Sequence, residues 1–171
     1  MTIIVRLGFL ALLACLSLVA CKPKGPEQFS PPDHSFTVLM PAEPKEVPLP
    51  TKNSVLTDGV LYAAKGTEQV FFAGYFEYTK ERSKTLDEDL DRVLDAYMDS
   101  TKSRLLSAKT IRQSGNTGRD VRMQTANNNL LHMRYFLVGT RMYLAMVGSK
   151  NRDDDNANET IIFLDSLQVH P

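Results

Sequence analysis

Leu130-Leu131-His132-Met133-Arg134-Tyr135-Phe136-Leu137-Val138-Gly139-Thr140-Arg141-Met142-Tyr143-Leu144-Ala145-Met146-Val147-Gly148 is the stretch whose reading decides the fold. Two strand-length runs of aliphatic and aromatic residues flank Gly139-Thr140, a pair short enough to close a hairpin. Asn127-Asn128-Asn129 separates the first run from Arg119–Ala126, and Ser114-Gly115-Asn116-Thr117-Gly118 separates that segment from Lys109–Gln113. Polar turns between β-prone runs predict an antiparallel meander.

Upstream, the pattern changes period. Leu86, Leu90, Val93, Leu94, Tyr97, Thr101 and Leu105 recur at helical spacing and predict a helix over Leu86–Leu106. Thr85 and Glu88 form a capping-box pattern at its start, and Asp87 and Asp89 suit the positive end of its dipole. Val55–Ala64 and Glu68–Thr79 read as strands joined by Lys65-Gly66-Thr67, where Gly66 is expected to supply a positive φ. Glu68–Thr79 is apolar on both faces, as a central, doubly covered strand requires. Ser35–Met40 is a short strand stopped by Pro41 and Pro44. Thr160–Leu167, packed by Ile161, Leu164 and Leu167, is expected to be a second helix. The order β-β-β-α-β-β-β-β-α predicts an α+β domain: an antiparallel sheet of about six or seven strands with helices on its faces.

The N-terminus is of a different kind. One cation at Arg6 precedes an apolar run from Leu7 to Val19, which is about 13 residues and short of the roughly 20 that span a bilayer. Leu18-Val19-Ala20-Cys21 closes the run and resembles a bacterial lipobox. Residues 1–20 are therefore expected to be a signal peptide, and Cys21 the lipidated first residue of the mature chain. Lys22, where retention in an inner membrane favours Asp, sets the expected address at the outer membrane facing the periplasm of a diderm host. Residues 21–33, with Pro23, Pro26, Pro31 and Pro32, read as a Pro-rich tether of about 35 Å, leaving 34–171 as the single globular domain.

Cys15 falls in the expected signal and Cys21 would be acylated, so no thiol is expected for a disulfide, metal or redox centre. Twenty basic residues balance 20 acidic ones, which argues against a nucleic-acid partner. His34, His132 and His170 lack the short spacings of metal ligands. Asp153-Asp154-Asp155-Asn156 with Asn158 and Glu159 fails the calcium-loop template, and acids before a helix are explained by capping. Met98, Met123, Met133, Met142 and Met146 are expected to fill core. One polar constellation stands out. His132 and Arg134 share a strand face that Arg122 and Gln124 can join from the neighbouring strand, a cationic surface suited to an anionic group.

Gly118-Arg119-Asp120-Val121 and Arg134–Tyr143, with the opening Phe36–Pro41 and the closing Phe163–Leu167, resemble the pattern of bacterial PsbP-like domains. The resemblance spans most of 34–169 and implies an α/β/α sandwich. Members of that fold include photosystem-associated subunits, a nuclear transport factor that binds a GTPase, and many bacterial lipoproteins. It therefore implies a non-catalytic role, no cofactor, and a protein partner in the envelope. The alternative expectation is a module that binds a small ligand or a metal ion.

Overall fold

In the computed structural model, residues 25–49, 55–150 and 157–170 are described. The signal segment, Cys21 and Asp153–Asn156 lie outside them. Strands β1 (Glu27–Phe29), β2 (Phe36–Met40), β3 (Lys45–Val47), β4 (Leu56–Lys65) and β5 (Gln69–Tyr78) precede helix α1 (Leu86–Thr101). Strands β6 (Arg104–Gln113), β7 (Asn116–Gln124), β8 (Leu130–Val138) and β9 (Arg141–Ser149) form the meander, followed by helix α2 (Asn158–Asp165) and strand β10 (Gln168–Val169).

Seven strands make one antiparallel sheet in the order β3-β4-β5-β9-β8-β7-β6. Period-two alternation divides its side chains between two cores. On one face, Val121, Met123, Met133, Tyr135, Leu137, Met142 and Leu144 pack with Leu90, Val93 and Leu94 of α1. On the other, Phe71, Ala73, Phe136, Tyr143, Ala145 and Val147 pack with Phe163 and Leu164 of α2 and with Phe36, Val38 and Met40 of β2. Each large apolar side chain so buried contributes about 1.5–3 kcal/mol.

The second cover is more sheet than helix. The sandwich expectation assigned that face to a helix, yet the eight residues of α2 share it with a three-stranded sheet, β1-β2-β10. β1 lies inside the expected tether. Its register sets Phe29 opposite Val38, and the Phe29 ring meets Tyr62 at 4.7 Å between centroids. The tether reading overlooked that one aromatic on a strand edge suffices to seat a segment against a core. Asp33, also assigned to the tether, accepts from the Ser35 amide at 3.2 Å and faces Arg141 at 3.6 Å. The folded domain thus begins before residue 34.

Three local expectations change. Helix α1 starts as predicted, with Thr85 Oγ1 accepting from the Glu88 amide, but ends at Thr101 rather than Leu106. Lys102 adopts a left-handed conformation (φ 53°), and the amides of Lys102 and Ser103 turn back to the Met98 carbonyl, closing the helix. Leu105, assigned to the helix stripe, therefore lies on β6. Gly66 does not take a positive φ; among the described glycines only Gly115 and Gly139 do, each in a two-residue hairpin loop. α2 runs from Asn158 to Asp165, two residues earlier at each end than predicted, and Ala157 gives it no side-chain cap.

Gly118 explains part of the motif in which it stands. It pairs with Phe136, and a Cβ there would meet both the Tyr135 carbonyl and the Phe136 ring. Gly118→Ala is expected to destabilise the protein by about 2 kcal/mol, read as a lower urea midpoint with secondary structure retained.

Candidate functional site

Arg122, Gln124, His132 and Arg134 do share one face of the β7–β8 pair, with Arg122 directly opposite His132. The residue at their centre is one that sequence reasoning missed. Asp120 lies opposite Arg134, is buried, and has one oxygen for each neighbour. Its Oδ1 accepts from His132 Nε2 at 3.1 Å, and its Oδ2 accepts from Arg134 Nε at 2.7 Å. Burial disfavours the carboxylate's charge, but these two donors outweigh it and hold the Asp120 carboxyl well below the usual carboxylate range. An ionised Asp120 only accepts, so His132 Nε2 carries the proton.

Arg134 reaches further. Its Nη1 meets both Asp165 at the end of α2 and the Gln113 side-chain oxygen, the latter at 3.3 Å. Gln113 in turn donates to the carbonyls of Leu164, Asp165 and Leu167 at 2.8–3.2 Å, which engages the last two carbonyls of α2 and the chain just beyond it. Gln124 bonds Arg104 at 2.7 Å. On the face expected to receive an outside anion, His132 and Arg134 are thus engaged by the chain's own carboxylates. Asp120 was visible in the sequence, since it alternates with Arg122 and Gln124 along one strand.

The opposite face carries its own polar ties. Arg119, one residue before Asp120, points toward α1 and pairs with Asp87 at 2.7 Å and Asp91 at 2.8 Å. Tyr135 Oη donates to the Leu90 carbonyl at 2.9 Å. At the start of α1, Asp89 is 1% exposed and accepts from Tyr78 Oη, Arg82 Nε, the Ser83 amide and Arg92. Burial again opposes its charge, yet the Ser83 amide, Tyr78 and Arg82 hold it down to about 2. The sequence reading gave Asp89 only a dipole role; its main work is to join the end of β5 to the head of α1.

The remaining expected sites are placed plainly. His34 and His170 lie at the small sheet, where they contact Ser30 and Thr37 at 3.3 Å, whereas His132 is in the interior. Met123, Met133, Met142 and Met146 are buried in the α1-side core with Met98 packed against it. Among the described residues, no group of three or more His, Cys, Asp or Glu is arranged to hold a metal ion, and no helix is long and apolar enough to cross a membrane.

Two surface features remain. A cleft of about 300 Å³ at the end of β5, β8 and β9 has an apolar floor of Val70, Phe72, Leu131 and Gly148, with Glu68 and Lys150 at its rim. At one edge of the main sheet, β6 exposes seven consecutive residues, Arg104–Thr110, including Leu105 at 39% and Leu106 at 40%.

No family model matches the chain, and no curated protein matches it either. Among solved structures, the solution structure of cyanobacterial PsbP (CyanoP) from Synechocystis sp. PCC 6803 is similar, with a TM-score of 0.60 over 85% of this chain and 93% of that one. At 10% identity the likeness establishes the fold alone, and that fold is PsbP-like.

Asp120→Ala, which leaves His132 and Arg134 without their shared acceptor, is expected to cost about 3 kcal/mol. Adding Arg134→Ala should cost less than the sum of the two single changes; urea denaturation of the full cycle checks this coupling. Asp89 predicts a pH dependence. Its folded value is depressed to about 2, so its contribution is complete above the unfolded value of about 4 and is lost as pH falls through that window. The urea midpoint should fall from pH 5 to pH 2, and Asp89→Asn should flatten that slope.

Proposed function

We propose that this protein is a non-catalytic envelope lipoprotein, anchored through Cys21, whose PsbP-like domain binds or positions another envelope protein. The observation that carries this reading is the seating of β1. The chain is built into the domain by Glu27, through pairing with β2 and packing of Phe29 against Tyr62. Only five residues lie between Cys21 and Glu27, a reach of about 20 Å even when fully extended. An anchor at Cys21 therefore holds the domain close to the membrane in a restricted orientation, rather than on a long free tether. β1 packs beside β4, while β6 lies at the other edge of the main sheet, about 24 Å away at five strand spacings. The surface far from the anchor is then the one presented to a partner. Stable attachment requires more than one acyl chain, each buried methylene contributing about 0.8 kcal/mol.

A second reading is favoured by the cleft. Its volume and apolar floor match the lower range of small-molecule sites, and Glu68 and Lys150 offer polar contacts at the rim. A ligand-binding module of the periplasm would use that cleft in place of a protein surface.

Cys21→Ser is expected to release the protein from membranes and abolish fatty-acid labelling; retention of both would overturn the anchor. Cross-linking in intact cells should then recover one stoichiometric protein partner. Gly148→Leu separates the two readings, because a Cβ there meets only ordinary contacts, the nearest 3.5 Å from Leu131 Cδ2. The longer side chain fills the cleft, so it should leave the cross-linked partner unchanged and would abolish ligand-dependent melting shifts if the second reading held.

A further inference from the structure

The two edges of the main sheet differ in kind. β3 ends one side with three residues, a length that offers little to a pairing strand. β6 ends the other with ten and, among the described residues, is paired to β7 along one side only. Its outer row of amides and carbonyls is a template for one more strand. A register shift between Leu105 and Ser107 leaves both Leu105 and Leu106 exposed near its start.

Charge decides what can pair there. β6 carries Arg104, Lys109 and Arg112 and no acid. Arg104 bonds a neutral amide, Gln124. Lys109 lies 4.0 Å from Asp120 and remains 68% exposed, while that carboxylate is already held by His132 and Arg134. On the α1 side, Asp87 and Asp91 are engaged by Arg119. The strand's own side chains therefore present net positive charge. A second copy of β6 would bring like charges together across the new ladder, which is unfavourable. An extended segment with carboxylates at alternate positions would meet Arg104 and Lys109 on one face of the sheet and gain the main-chain bonds.

We propose that β6 is a strand-addition site for an acidic, extended segment of a partner protein, extending the main sheet from seven strands to eight. This rests on the envelope-binding reading only for the source of that partner. The edge selects by two means: the open ladder supplies affinity that is indifferent to sequence, and the three cations reject another copy of this chain while admitting an acidic strand.

The test uses the full-length chain and a synthetic peptide of about ten residues alternating Glu and Val, with a Lys/Val peptide as control. The Glu peptide should bind and should protect amides within Arg104–Gln113 from hydrogen exchange, leaving β3 unaffected. Arg104→Glu with Lys109→Glu should weaken that binding at least tenfold. Should that variant fold poorly by its melting curve, Arg104→Gln with Lys109→Gln supplies the same comparison with a smaller loss. Equal binding of the Lys peptide, absence of protection along β6, or dimerisation of the free protein through this edge in sedimentation would each overturn the proposal. The titration needs no membrane, so its failure leaves attachment at Cys21 standing, and failure of Cys21 labelling leaves the edge site standing.

Discussion

Neighbouring residues on a pleated strand point to opposite faces, and in β7 that alternation sets Arg119 beneath α1 and Asp120 beneath α2. The packing of both covers depends on this pair. Arg119 binds two carboxylates one turn apart on α1, which fixes the helix along its axis as well as against the sheet. Asp120 holds Arg134, and Arg134 reaches Asp165 at the end of α2. Apolar burial supplies most of the stabilisation but tolerates sliding; the charged contacts select one register. Gly118, one position earlier, admits the Phe136 ring close to the backbone. Three consecutive residues thus serve a close approach, one cover and the other cover.

The main sheet was legible because its signals are local. The meander was readable from runs of β-formers separated by Gly115, Asn128 and Gly139, each of which adopts a positive φ. The head of α1 was equally readable from Thr85 and Glu88. Its tail was not, because Lys102 is not a residue that announces a left-handed turn, and Leu105 continued the helical spacing by coincidence. β1, β3 and β10 are two or three residues long and take their form from the strands beside them. No propensity of so short a run predicts that.

The candidate site shows the same division. Four residues were correctly grouped on one face by period two, but their cationic character was read without the acid among them. A strand face in a sheet has partners two residues away on the same strand and across both neighbours, so its net charge is a property of the patch rather than of the cations alone. With Asp120 and Asp165 included, the patch becomes an internal clamp. Asp89 follows the same logic. Four donors from three segments converge on it, and only the first turn of α1 lies close enough in sequence for any pattern to mark it.

The buried ionic groups are therefore engaged in holding the layers, and what the surface retains for recognition is largely backbone. That is why the proposed recognition is placed at an edge rather than on a face. Side-chain sites recognise a ligand by its chemistry, whereas a strand edge recognises any extended chain whose charges do not oppose its own. The proposed attachment at Cys21 bears on the same point, since an anchor close in sequence to β1 would orient the far edge outward. A ten-residue strand left open at that edge would be a hazard in a freely diffusing protein, where copies meet at every angle. Under the proposed attachment at Cys21, an edge lined with Arg104, Lys109 and Arg112 would meet other copies under mutual repulsion, while an acidic strand would approach unopposed.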